Sequence, residues 1–133
     1  MVKRAFRESK SSQKWLNFAK HDLDLAFLIN RDSGFTDTVC YFCHQTVEKA
    51  LKALLIANGV IDFPHIHNLK ILFKQAINFY PQLEEFESSV KELNKYYIET
   101  KYPADMPVNY PAEEAERATE SATKIYEFVE KKI

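Results

Sequence analysis

The run Cys40-Tyr41-Phe42-Cys43-His44 holds the residue types with the most obvious chemistry. Two thiols three positions apart, followed at once by a histidine, match the spacing used to attach haem covalently. Such attachment belongs to exported proteins. The opening MVKRAFRESK carries charges with no apolar run behind them, so it does not read as a secretory signal. Cys40 and Cys43 together with His65 and His67 also form a donor set that suits zinc. No second cysteine pair completes a structural site, and Cys43 falls among small apolar residues, where a thiol packs as a compact hydrophobe. No haem, no metal and no other cofactor is expected. Lys49 and Lys52 offer ammonium groups to an anionic ligand. His67 has the near-neutral pKa of a general base, but its place at a helix opening is explained by capping or packing, so no catalytic residue is assigned. A glycine-rich phosphate loop is absent, as are the zincin helix motif and the nucleophile elbow; the chain has only two glycines.

These side chains need helices to position them. Tyr41 to Gly59 reads as a long central helix with two unlike faces. Val39, Cys43, Thr46, Ala50, Ala53, Leu54 and Ala57 share one side at the helical period, mostly small residues that let a neighbouring helix approach. Tyr41, Gln45, Glu48, Lys49 and Lys52 share the other. Glu48 precedes Lys52 by four, the favourable order for an exposed ion pair. Thr36 or Asp37 is the expected N-cap, and Gly59 stands where a left-handed C-terminal residue is wanted.

The flanking segments repeat the pattern. Residues 1–10 are polar and basic and read as a flexible arm; Ser11 or Ser12 is expected to cap a first helix running to about Asn30. Trp15, Phe18, Ala19, Ala26 and Ile29 form its apolar stripe, with Asp22 in the middle, so Asp22 requires a charged or hydrogen-bonding partner. His67 or Asn68 opens a third helix that Tyr80-Pro81 ends. Leu83, Phe86, Val90, Leu93 and Tyr97, spaced by threes and fours, make the inward seam of a fourth. Residues 98–110 carry no period and are too long for a plain connector. Pro111 at a first helical position and Glu113 and Glu114 in the first turn open a last helix, whose seam is Ala115, Ala118, Ala122, Ile125 and Val129. The expected fold is all-α: an antiparallel bundle of four to five helices in a single domain over 1–133.

Composition agrees. Hydrophobic residues make up 46% of 133, with ten Phe and seven Tyr, which excludes disorder. The formal net charge of −1 gives no general attraction to RNA. No apolar run is long enough to span a bilayer, and the expected home is the cytoplasm, with reduced thiols.

Four pieces in order resemble a known family: Trp15, Ala19, Asp22, Leu23 and Ala26; Gln45, Glu48, Lys49, Lys52 and Ala53; His67-Asn68-Leu69; and YIETKYP from Tyr97 to Pro103. From Trp15 to Val129 the chain resembles the HEPN family (higher eukaryotes and prokaryotes nucleotide-binding). That resemblance implies a helical bundle, commonly a homodimer. It also implies a nucleotide or a minimal nucleotidyltransferase as partner, in some cases as a toxin–antitoxin pair. Many members are ribonucleases using an Arg, four to six residues, then a His. Arg4, Arg7, Arg31 and Arg117 have no histidine at that distance, and Lys101 stands where the family has an Arg before Tyr-Pro, keeping charge but losing bidentate geometry. The expected role is therefore binding, through Gln45, Glu48, Lys49, Lys52, His67, Lys101, Tyr102 and Asp105. The lysines would meet anionic groups and Tyr102 would stack. The alternatives are a ribonuclease toxin with a degenerate site and a purely structural dimerising bundle. RNA is the less favoured partner.

Overall fold

The computed structural model describes the backbone of residues 2–60, 62, 68–97 and 109–133, and the side chains of these from Ser11 onward. Among the described residues every regular element is helical: α1 (Val2–Asp32), α2 (Thr36–Ala57), α3 (Leu69–Phe79), a 3₁₀ segment (Pro81–Phe86), α4 (Glu87–Asn94) and α5 (Ala112–Lys132). None of these helices is long and apolar enough to cross a membrane.

α2 is the centre of the bundle, in contact with α1, α3, α4 and α5. Its expected apolar face is buried, apart from Ala57 at the exposed end. The expected polar face is not a solvated one: Glu48 is buried and Tyr41, Gln45, Lys49 and Lys52 are half-buried. A helix enclosed by four neighbours has no fully wet side, so its polar residues must find partners inside the protein.

The helix ends follow local chemistry. Gly59 has φ +86°; its N–H donates to the Ile56 carbonyl at 3.0 Å, while Val60 N–H reaches the Leu55 carbonyl at 2.9 Å. This paired closure is the Schellman arrangement, and it needs a residue free to adopt positive φ. The start of α2 differs from expectation. Phe35 is the N-cap, without a side-chain bond, and Thr36 is the first helical residue with its hydroxyl turned to other work. Pro111 likewise sits at the N-cap of α5, one position before the expected first helical position. Asn68 caps α3 as its type favours, its side-chain oxygen accepting from Lys70 N–H at 3.0 Å.

α1 begins at Val2 and not at the expected serine cap. Lys, Arg, Ala and Glu before Ser11 are good helix formers, with no Gly or Pro to stop them. Ser12 is consequently mid-helix and buried, donating its hydroxyl to the Ala53 carbonyl of α2 at 2.7 Å. Ser12, Ala19 and Ala26, seven residues apart, are all fully buried and hold α1 close to α2. The seam of α5 is buried throughout, as its spacing predicts. In the fourth segment Leu83, Val90 and Leu93 face the core, but Tyr96 is the fully buried aromatic and Tyr97 is half-buried. A turn at Lys95 interrupts the helix there and moves the seam from an i+4 step to an i+3 step.

Candidate functional site

Five residues of α2 recur every fourth position: Thr36, Cys40, His44, Glu48 and Lys52. On a helix such a row drifts slowly round one side. Three of them face the two points where the chain leaves for and returns from residues 98–108. At the return, the Thr36 hydroxyl donates to the Tyr110 carbonyl at 2.7 Å, with the Asn109 side-chain oxygen 3.1 Å away. One turn on, Cys40 lies beside Tyr96, whose ring meets Tyr110 edge-on at 5.1 Å. The Tyr96 hydroxyl donates to Glu114 at 2.7 Å, and the Lys95 ammonium sits 3.6 Å from the same carboxylate. A further turn on, the buried His44 ring stacks on Tyr97 at 5.6 Å, with its Nδ1 3.3 Å from the Gln45 side-chain oxygen. Tyr97 is the last described residue before the segment. This row was not singled out from the sequence, although its period of four is written there.

Burial dominates the titration of this row. It pushes the Cys40 thiol up to about 12, against a smaller lowering by the Tyr96 hydroxyl, and raises Cys43 further. Tyr96 is also raised, first by burial and then by its bond to Glu114. Both thiols are protonated at neutral pH, whereas it is the thiolate that binds metals and attacks electrophiles. Among the described residues no three His, Cys, Asp or Glu converge as a metal site. His65 and His67 lie outside the described residues.

Toward its C-terminal end the row turns to α1 and joins a seam of charge. Asp22 of α1 is buried as its place in the apolar stripe requires, and Lys49 pairs with it at 2.5 Å. Lys49 also lies 5.8 Å from the Phe18 ring, and Lys52 lies 5.1 Å from Trp15 and 3.8 Å from Glu48. The Glu48–Lys52 pair is 3% and 13% exposed, so the expected exposed ion pair is an interior one. The structure therefore brings Glu48, Lys49 and Lys52 together with α1, and places Gln45 beside His44. His67, Lys101, Tyr102 and Asp105 lie outside the described residues.

A profile of the HEPN domain matches residues 12–132, nearly the whole described bundle. The chain belongs to the HEPN family. The fold agrees with TT1696 of Thermus thermophilus, a solved structure 30% identical, with a TM-score of 0.78 and coverage of 92% of this chain and 98% of that one. A second solved structure, ST0689, described as an archaeal HEPN homologue, is 21% identical with a TM-score of 0.73, covering 91% and 96% of the two chains. Among curated proteins, the candidate toxin MJ1304 of Methanocaldococcus jannaschii is 26% identical, over 90% of this chain and 86% of its own length. The HEPN bundle thus supplies the frame, and its enclosed central helix supplies the row that anchors both ends of residues 98–108.

Proposed function

We propose that this HEPN protein is a cytoplasmic member of a toxin–antitoxin pair, acting by binding a nucleotide or a minimal nucleotidyltransferase partner and not by cutting RNA. The observation that carries this reading is the separation of arginine from histidine. Arg31 is engaged by Asp32 at 2.7 Å and Arg117 by Glu92 at 2.9 Å, both on the surface, while His44 is in the core against Tyr97. A general base must reach the proton it removes, and no such arginine–histidine pair is assembled here among the described residues. The proposed contact residues are Gln45, Glu48, Lys49 and Lys52 of α2, with His67, Lys101, Tyr102 and Asp105. Because Lys49 and Lys52 already hold carboxylates, an anionic ligand would exchange with Asp22 and Glu48 for them, and Lys101 is the cation expected to contribute most.

Calorimetry against a nucleotide panel, and against a nucleotidyltransferase encoded beside this chain, tests the reading. Saturable heat with one of them, weakened about tenfold in Lys101→Ala, is expected. Absence of heat with every candidate would sink it. The likeness to a candidate toxin favours a second reading, a ribonuclease toxin with a degenerate site. Cleavage of total RNA by the purified chain, abolished by His67→Ala, is the result that would select it.

A further inference from the structure

Near the C-terminal end of α1, an open cleft of about 700 Å³ lies between α1 and α5. Its α1 wall presents Asp24, Phe27, Leu28 and Arg31, at i, i+3, i+4 and i+7. Its α5 wall presents Glu116 and Glu120, one turn apart. Such spacing is that of a helix face which packs on another helix. Phe27 and Leu28 are nonetheless 48% and 46% exposed, so the apolar centre of the α1 stripe is left uncovered.

The charges on the two walls differ in kind. On the α1 wall they are already matched: Lys20 holds Asp24 at 2.7 Å and Asp32 holds Arg31 at 2.7 Å. Glu116 and Glu120 are exposed and pair with no cation among the described residues. They also stand four apart, where like charges on a helix repel. The unmatched charge of the cleft is therefore negative and confined to α5, facing an apolar stripe on α1. That distribution decides what can enter. Phosphates of RNA and anionic lipid headgroups would be repelled by the two carboxylates. A helix with apolar residues on one face and lysine or arginine four apart on its flank satisfies both walls. From Asp24 to Arg31 the α1 wall rises about 10 Å, room for two turns of such a helix.

We propose that the cleft between α1 and α5 is a docking groove for a basic amphipathic helix of another protein. The apolar face of the incoming helix covers Phe27 and Leu28, and its cationic flank meets Glu116 and Glu120, as in other helix-in-groove contacts. None of these residues is among those proposed to meet a nucleotide or nucleotidyltransferase, so the groove is a second surface of the molecule.

The test is fluorescence anisotropy of two labelled alanine-based peptides of about 15 residues, a length at which such sequences begin to hold a helix. Both carry leucine at i, i+3, i+4 and i+7; one has lysine on the flank and the other glutamate. The full chain is expected to bind the lysine peptide saturably, and the glutamate peptide at least about tenfold more weakly. Glu116→Lys with Glu120→Lys should reverse that preference. Phe27→Ala with Leu28→Ala should weaken the lysine peptide about tenfold. Glu84→Lys with Glu85→Lys makes the same change of net charge on the 3₁₀ segment and should leave binding within about twofold of the parent. No binding of the lysine peptide, or no preference for it over the glutamate peptide, would overturn the proposal on the parent chain alone, whatever the variants do. Equal binding after loss of Phe27 and Leu28, or an equal effect of the two charge reversals, would overturn it too. No nucleotide or nucleotidyltransferase enters the assay, so its failure leaves that reading untouched.

Discussion

On the α1 side of α2, buried polarity is carried by full charges: Asp22 with Lys49, and Glu48 with Lys52. On the side facing Tyr96, Tyr97 and Tyr110, it is carried mainly by hydroxyls, a thiol and rings, with the Glu114 carboxylate at the edge accepting from Tyr96. Charge pairs have steep angular and distance demands once desolvated, and losing one partner leaves the other uncompensated. The Asp22–Lys49 pair holds α1 and α2 in a single register, while Glu48 with Lys52 is a pair within α2. Hydroxyl and ring contacts are individually weaker and more tolerant of adjustment. They hold the two ends of the segment proposed to meet a ligand. Rigid pairing thus occurs where the frame must not move, and softer contacts occur where chain 98–108 is attached.

The largest expected departure from this contrast is His44→Ala. It empties a fully buried site and strips Tyr97 of its stacking partner, so a loss of about 2–4 kcal/mol in urea denaturation is expected. A loss below that of Asp22→Ala would mean that the ring side is the less important of the two. Asp22→Ala itself leaves the half-buried Lys49 without its carboxylate and should cost about 1–3 kcal/mol, with Asp22→Asn recovering part of it. Tyr96→Phe keeps the ring and deletes one donor to Glu114, which also has Lys95 beside it; about 1 kcal/mol is expected.

Alkali probes the ring side through Cys40. An unfolded Cys40 thiol releases its proton near 9 and the folded one only at about 12, so raising the pH across that window favours the unfolded chain. This contribution to stability is intact below pH 9 and lost progressively toward pH 12. Cys40→Ala should flatten that part of the profile, and a thiol reagent at neutral pH should modify the parent only at the rate of unfolding. The smallest effect belongs to neither side. Arg117→Ala removes an exposed pair with Glu92 and should change stability by less than about 1 kcal/mol.

What could be read from residue order was mostly periodicity. The α5 seam, the Asn68 cap, the positive-φ Gly59 and the need of Asp22 for a partner all follow from local rules and are found as read. The misreadings share a cause. A single helix wheel gives α2 one wet face, but the number of helices packed around it is a tertiary fact, and it turns Glu48 and Lys52 inward. Thr36 is a good cap by type, yet the Tyr110 carbonyl, far along the chain, claims its hydroxyl. Tyr96 replaces Tyr97 in the seam because a turn at Lys95 resets the phase, which no single-period count registers. Cys40 and His44 match a ligand motif by type, but the fold uses their spacing of four, shared with Thr36.

Ser12, Ala19 and Ala26 stand one heptad apart, and a strict repeat of seven keeps two helices in step only if they wind gently about each other. Two such rods, touching along most of the shorter one, behave as a lever. A bulkier side chain at Ala19 has no nearby hinge at which the strain can dissipate. A wedge of an ångström or so there would tilt α1 as a unit, with displacement growing toward both tips. The Asp22–Lys49 pair, close to the pivot, would feel little of it. The first turns of α1 and the Ser33–Phe35 corner, at the far ends of the rod, would travel furthest.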